Sequence, residues 1–249
     1  MVVVTGLLAA AATVLVAAGR DGQDAHDTFH TGALSTFLVA GLITALGLGS
    51  TALNRDADSG FFGLAHIAGA PRGSIALART LSRVVTLGGA IFAWWAAFAV
   101  GGAAIGLGAD GPLAVHALAA LVSLSVVLLV AAASSTVLGP GSSAFLGLAA
   151  YVIAQSTVNL KSATDSGLIA SSWKATTRAL HAVLPRIIQS PLLADLGNRG
   201  EGGPAAARFE INRVAVPIVS AGWTTVAWTL VWCAILVALA VRGMRNRAL

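Results

Sequence analysis

Long apolar runs alternate with shorter polar segments along the chain. The runs are rich in Ala, Val, Leu and Gly, and few charged residues interrupt them. A helix needs about 20 apolar residues to cross the hydrocarbon core of a bilayer, and the runs lack the strict alternation of membrane strands. We therefore predict an all-α, multi-pass membrane protein that forms one bundle. The six expected transmembrane helices are 2–18, 34–53, 84–100, 113–133, 145–160 and 217–241.

The first two apolar runs carry further signals. Residues 2–18 are similar to the apolar part of a secretory signal, but no basic residues precede that part, so we expect a retained first span. Within the second run, Gly41, Gly47 and Gly49 are small residues of the kind that lets helices approach closely. We expect these glycines to face neighbouring helices.

Residues 54–83, between the second and third spans, contain two apolar stretches that a proline separates. The first stretch holds Phe61 and Phe62, and the second begins after Pro71. Because proline breaks the hydrogen-bond pattern of a helix interior, the sequence predicts two short helices with a break at Pro71. We expect the first helix to lie at the membrane surface and the second to lead into the third span.

Residues 161–216, before the sixth span, form the longest polar region. Trp173, Leu180 and Leu184 recur there near helical spacing, and basic residues occupy the other faces. This pattern predicts an amphipathic helix that lies at the membrane interface and ends at Pro185.

Composition and charge support the membrane class. The chain is 57% hydrophobic and 10% charged, whereas soluble domains carry about 25% charged residues. Its formal net charge is +5, but the arginines are scattered and no run of five basic residues occurs. Membrane topology therefore explains the basic excess better than nucleic-acid binding does.

The distribution of arginine predicts the orientation of the bundle. Residues 54–83 carry four arginines against two aspartates, and three arginines follow the last span. Because cytoplasmic loops are enriched in basic residues, we expect residues 54–83 and both termini to lie in the cytoplasm of a cell-membrane protein. The acidic loop 19–33 and the region 161–216 would then lie outside.

The chain lacks the short motifs of several enzyme classes. No GxxxxGK[ST] phosphate loop occurs, so ATP hydrolysis would need another polypeptide, and HExxH, GxSxG and CxxC are also missing. Cys233 is the single cysteine, which excludes a thiol metal cluster. The expected spans carry no central carboxylate of the kind that couples transport to protons or sodium. We expect no catalytic residue, cofactor or metal in this chain.

Two histidines in the first polar loop leave one alternative open. His26 and His30 lie four residues apart, beside Asp24 and Asp27. If the segment were helical, these side chains would share a face and could bind a divalent metal ion. An ordinary acidic loop explains the same residues more simply. A haem would need two histidines that face each other at matching depth, and the remaining three histidines are expected to lie far apart.

The order of residues around the proline at position 71 resembles a known family. The residues that carry the resemblance are Asp56, Ser59, Gly60, Pro71, Arg72 and either Arg79 or Arg83. The stretch ALHAVLP at 179–185 and the basic tail after the last span match as well. This order resembles the type-two exporter permeases of ABC transporters, and most closely the branch that is linked to multi-copper enzyme maturation.

The resemblance implies a transport subunit without an ATPase site of its own. Such a permease pairs with a second copy, as a homodimer or heterodimer, and binds ATP-binding cassette subunits that supply ATP and Mg²⁺. Other implied partners are membrane lipid and an extracytoplasmic protein on residues 161–216. A coupling helix within residues 54–83 would contact the ATPase. Its candidate residues are Ser59, Gly60, Phe61, Phe62, His66, Pro71 and Arg72.

A non-transporting membrane module is the alternative function. It would be either a haem-binding electron carrier or a scaffold of a membrane complex. A haem protein would show a Soret absorption band, and a scaffold would bind partners without stimulating ATP hydrolysis. The transported substrate stays open, since a lipid, a peptide, a drug or a copper-site precursor would all fit an apolar bundle.

Overall fold

The computed structural model describes residues 2–54, 69, 71–107, 111–165, 171–185, 209–211, 214–216 and 223–246. The helices are α1 (Val2–Ala18), α2 (Gly22–Ser35), α3 (Gly41–Ser50), α4 (Arg72–Ala104), α5 (Gly111–Ser134), α6 (Pro140–Asp165), α7 (Lys174–Val183) and α8 (Trp223–Asn246). A π-helical turn, Thr36–Ala40, joins α2 to α3, and a 3₁₀ turn, Ser171–Trp173, precedes α7. Strands Phe209–Ile211 and Val214–Val216 form an antiparallel pair with Phe209 opposite Val216.

Helix α5 lies at the centre of the bundle. It packs against α3, α4, α6 and α8. Of its most apolar segment 67% is buried, compared with 17% for the equivalent segment of α8. The core around α5 combines Leu124 and Leu128 with Leu87, Trp94 and Phe98 of α4. Helices α3, α4, α6 and α8 therefore surround α5.

Within the part of the chain that the structure describes, four helical segments are long and apolar enough to cross a membrane. They are Gly22–Ser50, Arg72–Ala104, Leu113–Ser134 and Thr224–Asn246. Each overlaps one predicted span, so the expectation of a helical chain with apolar, membrane-length helices is confirmed at that level. Helix α1 is apolar but has 17 residues. The total of six spans stays a prediction.

The outer faces of the helices are apolar. Leu15, Val85, Phe92 and Phe145 are each more than 60% exposed, and they lie on three different helices. Large exposed apolar surfaces are rare on soluble monomers and indicate contact with a membrane or another protein. The bundle is therefore suited to a hydrocarbon environment.

The predicted loop at 19–33 is wrong, because most of it forms helix α2. Ala25, Phe29 and Ala33 recur every four residues and are buried, so they make an apolar stripe that packs into the bundle. The polar residues of the segment lie on the remaining faces. Helix α2 continues through the π-helical turn into α3 as a segment of 29 residues, which is about 44 Å long.

The proline at position 71 starts helix α4. Pro71 has extended backbone angles, and Arg72 is the first residue of a helix of 33 residues. The prediction that a helix begins after Pro71 and leads into the third span is confirmed. The predicted surface helix before Pro71 lies outside the described residues. Helix α4 is about 50 Å long, so it extends well beyond a hydrocarbon core of about 30 Å.

Helices α5 and α6 form a hairpin, and Gly139-Pro140-Gly141 lies where its turn ends and α6 begins. A short turn follows Ser134, and Pro140 is the first residue of α6. Proline suits this position because the first backbone N–H of a helix has no partner within the helix. The two helices pack against each other.

Candidate functional sites at the two ends of the bundle

The two ends of the bundle carry different chemistry. At one end, which we call the hairpin end, Asn54 and the start of α4 lie beside the turn between α5 and α6 and the end of α8. At the other end, which we call the histidine end, lie His26, His30 and His116. The helices between the two ends are largely apolar.

Asn54 ties the chain after α3 to the turn between α5 and α6. Its side-chain Nδ2 donates a hydrogen bond of 2.6 Å to the carbonyl oxygen of Leu138, 84 residues later in the chain. Asn54 is buried. A buried amide that hydrogen-bonds a backbone group stabilises the fold, mainly because a buried polar group without a hydrogen-bond partner is costly.

We expect Asn54→Ala to lower the free energy of unfolding by about 1–3 kcal/mol. Thermal unfolding of the purified protein in detergent measures this change. Thr51→Ala is the matched control, because the Thr51 hydroxyl bonds the Gly47 carbonyl of its own helix at 2.8 Å. An equal effect of both substitutions would contradict a long-range role for Asn54.

The start of α4 packs against the end of α8. Gly73 is buried, and a Cβ atom added there would lie 2.5 Å from Nε of Arg245. Near the same end, Gly243 approaches the side chain of Thr136 in the hairpin turn. A displacement of the first turn of α4 would therefore reach α8 directly and the α5–α6 turn through α8.

The charges that the described residues place at the hairpin end are basic. Arg72 occupies the first turn of α4, which holds no acidic residue, and Arg245 lies in the last turn of α8. A basic residue in a last turn is favoured by the helix dipole, whereas one in a first turn is not. The position of Arg72 is therefore not explained by the stability of its own helix.

The structure describes two of the seven predicted coupling residues. Pro71 is exposed and Arg72 is partly buried, and both lie at the hairpin end. The other five, Ser59, Gly60, Phe61, Phe62 and His66, lie outside the described residues. The contact of Gly73 with Arg245 joins positions that are far apart in the chain, so no local sequence pattern predicts this contact.

An apolar groove of about 600 Å³ lies between α4, α5 and α8. Leu81, Leu121 and Val237 line its walls together with ten further residues, among them Ser125 and Cys233. The Ser125 hydroxyl donates to the Leu121 carbonyl of its own helix at 2.7 Å. The groove is thus suited to an apolar molecule or an apolar helix. No sequence pattern predicted it, since three separate helices form it.

The histidine end brings together side chains from α2 and α5. The Nε2 atoms of His26 and His30 lie 3.1 Å apart. His116 is close enough to His30 for their charges to interact. Sequence analysis did not anticipate this neighbour, because it placed His30 in a loop rather than in a helix that packs against the bundle.

Aromatic rings surround the histidines of this end. The ring of Phe29 meets His30 edge-on at 5.5 Å between centroids, and Phe37 lies 5.7 Å from His116. Phe98 of α4 contacts both phenylalanines, at 5.6 Å and 5.8 Å. These contacts fix the two buried histidines within an apolar shell.

Two tryptophans of α8 donate hydrogen bonds to the last carbonyl groups of α7. The indole N–H groups of Trp228 and Trp232 donate to the carbonyl oxygens of Leu184 and Val183, at 3.2 Å and 3.1 Å. The last carbonyls of a helix have no partner within it, so these bonds cap α7 just before Pro185. The two indole N–H groups thus have a structural role.

No protein-family model matches this chain, no curated protein matches it in sequence, and no solved structure matches its fold.

Proposed function

We propose that this chain is the membrane-spanning permease subunit of an ATP-driven exporter. The observation that carries the proposal is the start of α4, where Arg72 follows Pro71 at a basic end of an apolar bundle. The four membrane-length helices and their apolar outer faces support a location in the cell membrane. The chain itself would carry no ATPase site, and ATP and Mg²⁺ would bind in a partner subunit.

In this proposal the hairpin end faces the cytoplasm. The arginines at the start of α4 and the end of α8 both belong to that end, and basic residues are retained on the cytoplasmic side. Helices α1 and α6 would add two spans to the four of membrane length. Both termini would then be cytoplasmic, and α7 would lie at the outer membrane surface.

Residues 54–83 would form the docking surface for ATP-binding cassette subunits. A carboxylate of such a partner would be attracted to the basic start of α4. When ATP binding closes the partner domains, force on this surface would move the start of α4. The packing of Gly73 on Arg245 would pass that movement to α8 and rock the bundle between inward and outward states.

The groove between α4, α5 and α8 would accept an apolar element. A second permease copy could pack there through one of its own helices, and an apolar substrate or a lipid chain would fit as well. Lipid, peptide, drug and copper-site precursor remain the substrate classes. The apolar lining favours those with a long hydrocarbon portion.

Charge reversal at Arg72 tests the docking surface. We expect affinity-purified protein in mild detergent to retain an ATP-hydrolysing subunit, and Arg72→Glu to reduce both its retention and the ATPase activity at least about tenfold. Arg242→Glu is the matched control, because Arg242 is exposed near the end of α8 at the same end of the bundle. We expect the control to change retention less than about threefold.

A folded protein that retains no ATPase subunit would overturn the permease proposal. Mass spectrometry of the purified complex and an absorption spectrum then distinguish the alternatives. A Soret band would indicate a haem-binding electron carrier. A bound membrane protein without ATP hydrolysis would indicate a scaffold.

A further inference from the structure

We propose that His26 and His30 form a binding site for one late first-row divalent cation, such as Cu²⁺ or Zn²⁺. Both ligands come from one face of α2, one helical turn apart. The site lies at the histidine end, away from the proposed docking surface. It does not depend on the proposed transport function.

The distance between the two ring nitrogens fits two ligands of one metal ion. The Nε2 atoms lie 3.1 Å apart, and metal–nitrogen bonds of imidazole are about 2.0–2.1 Å long. A cation at that distance from both atoms makes a nitrogen–metal–nitrogen angle of about 100°. This angle lies between the ideal angle of square-planar coordination, which Cu²⁺ prefers, and that of tetrahedral coordination, which Zn²⁺ prefers.

A carboxylate lies near the ring of His26, beyond hydrogen-bond distance. Oδ1 of Asp27 lies 3.9 Å from Nδ1 of His26, on the side of the ring that faces away from His30. A negative charge there favours the proton on Nδ1, which leaves the lone pair of Nε2 directed at the shared site. Carboxylates that accept a hydrogen bond from the second ring nitrogen commonly orient metal-binding histidines and raise their affinity, and a small rotation of Asp27 would bring it to that distance.

One ligand is fixed and the other is accessible. His30 is 1% exposed and is held by the edge-on contact with Phe29. The side chain of His26 is 29% exposed, so a cation can enter from its side. Within the described residues no group of three His, Cys, Asp or Glu is arranged to hold a metal. Water or a small external ligand would therefore complete the coordination.

The proposal implies competition with protons. Without metal, the two Nε2 atoms are close enough to share one proton in a hydrogen bond. A cation needs the lone pairs of both Nε2 atoms, so the shared proton must move to Nδ1 of its own ring, and an additional proton on either ring would block binding.

Copper titration of the full chain tests the site. Protein purified in detergent and treated with chelator is titrated with Cu²⁺ and followed by electron paramagnetic resonance, with Zn²⁺ as competitor. We expect one Cu²⁺ per chain with two nitrogen ligands. His26→Ala should weaken binding at least about tenfold, and Asp27→Asn about tenfold. His181→Ala, which changes a histidine on α7, should leave affinity unchanged.

Folding is controlled separately, because His30 is buried. His26 is partly exposed, so His26→Ala should keep the elution volume and the melting temperature of the parent protein. His30→Gln is used in place of alanine to preserve volume. The proposal is overturned if Cu²⁺ binds the His26→Ala/His30→Gln double variant as tightly as the parent. A spectrum with one nitrogen ligand in the parent protein would also overturn it.

Discussion

Replacing Gly49 with alanine is expected to push α3 away from α5 and to lower the free energy of unfolding by about 2–3 kcal/mol. A Cβ atom at Gly49 would overlap the backbone carbonyl of Leu128, and it would lie 2.8 Å from Cβ of Ala131. A backbone carbonyl cannot rotate away as a side chain can. The two helices must therefore separate, and α5 is the central helix of the bundle.

Gly47→Ala is the matched control for this prediction. A Cβ atom at Gly47 would meet no atom of the described residues within 4 Å. Alanine is favoured over glycine in a helix interior by about 1 kcal/mol, so this substitution should leave stability unchanged or raise it. The two variants therefore should shift the melting temperature in opposite directions, measured by thermal unfolding in one detergent. Two shifts of equal size and sign would contradict the close contact between α3 and α5.

The glycines of α3 show how far sequence reasoning reached. Gly41 packs against the side chain of Leu124 and Gly49 against Leu128, so both predictions of close contact are confirmed. The prediction for Gly47 is wrong. At 100° per residue, Gly47 and Gly49 point to nearly opposite sides of one helix. The helical period thus already showed that Gly47 and Gly49 could not both face α5. It did not show which of the two does.

The error in the first polar loop has a different cause. Three aspartates and two histidines lie among the 15 residues of 19–33, and that polarity suggested a loop. The buried stripe of Ala25, Phe29 and Ala33 contains one large apolar residue, so its helical period is faint. Its apolar partners, such as Phe98 of α4, come from distant parts of the chain. The sequence placed His26 and His30 on one face only on the condition that the segment is helical, and helix α2 meets that condition.

Local signals predicted the helix boundaries of the candidate sites better than their contacts. Pro71 and Pro140 each mark a helix start, because the chemistry of proline acts at its own position. The bond from Asn54 to Leu138 spans 84 residues, and no local pattern encodes it. The same holds for the groove, whose walls come from three helices. Sequence alone therefore predicted the helical bundle but not its internal contacts.

Replacing Trp94 with alanine should release α1 from α4 and cost about 3 kcal/mol of stability. The side chain is fully buried, and its indole N–H donates to the carbonyl oxygen of Val3 at 3.0 Å. Gly6 of α1 lies directly on the indole ring. Tryptophan-to-alanine changes in cores cost about 3–5 kcal/mol. The lower value is expected here because lipid or detergent also solvates the Trp94 ring of the parent protein when α1 separates from α4, so burial of that ring gains less than it does in water.

Trp95, the next residue, provides the control. Its side chain is partly buried beside Phe92, and among the described residues its indole N–H has no hydrogen-bond partner. Removing such a group leaves no partner unsatisfied, so Trp95→Ala should cost about 1 kcal/mol or less. Trp94→Phe keeps most of the ring but loses the bond to Val3, which should cost an intermediate amount of about 1–1.5 kcal/mol.

Hydrogen exchange locates the effect of these substitutions within the chain. In Trp94→Ala, amides of α1 should exchange faster than in the parent protein, while those of α5 should keep their protection, because α1 contacts the bundle mainly through α2 and α4. Trp95→Ala should leave α1 protected. Equal loss of protection in α1 and α5 would mean that the bundle unfolds as one unit and that Trp94 does not hold α1 specifically. Fast exchange confined to α1 would show that the packing of Trp94 on Gly6 and Val3 attaches the first helix to the fold.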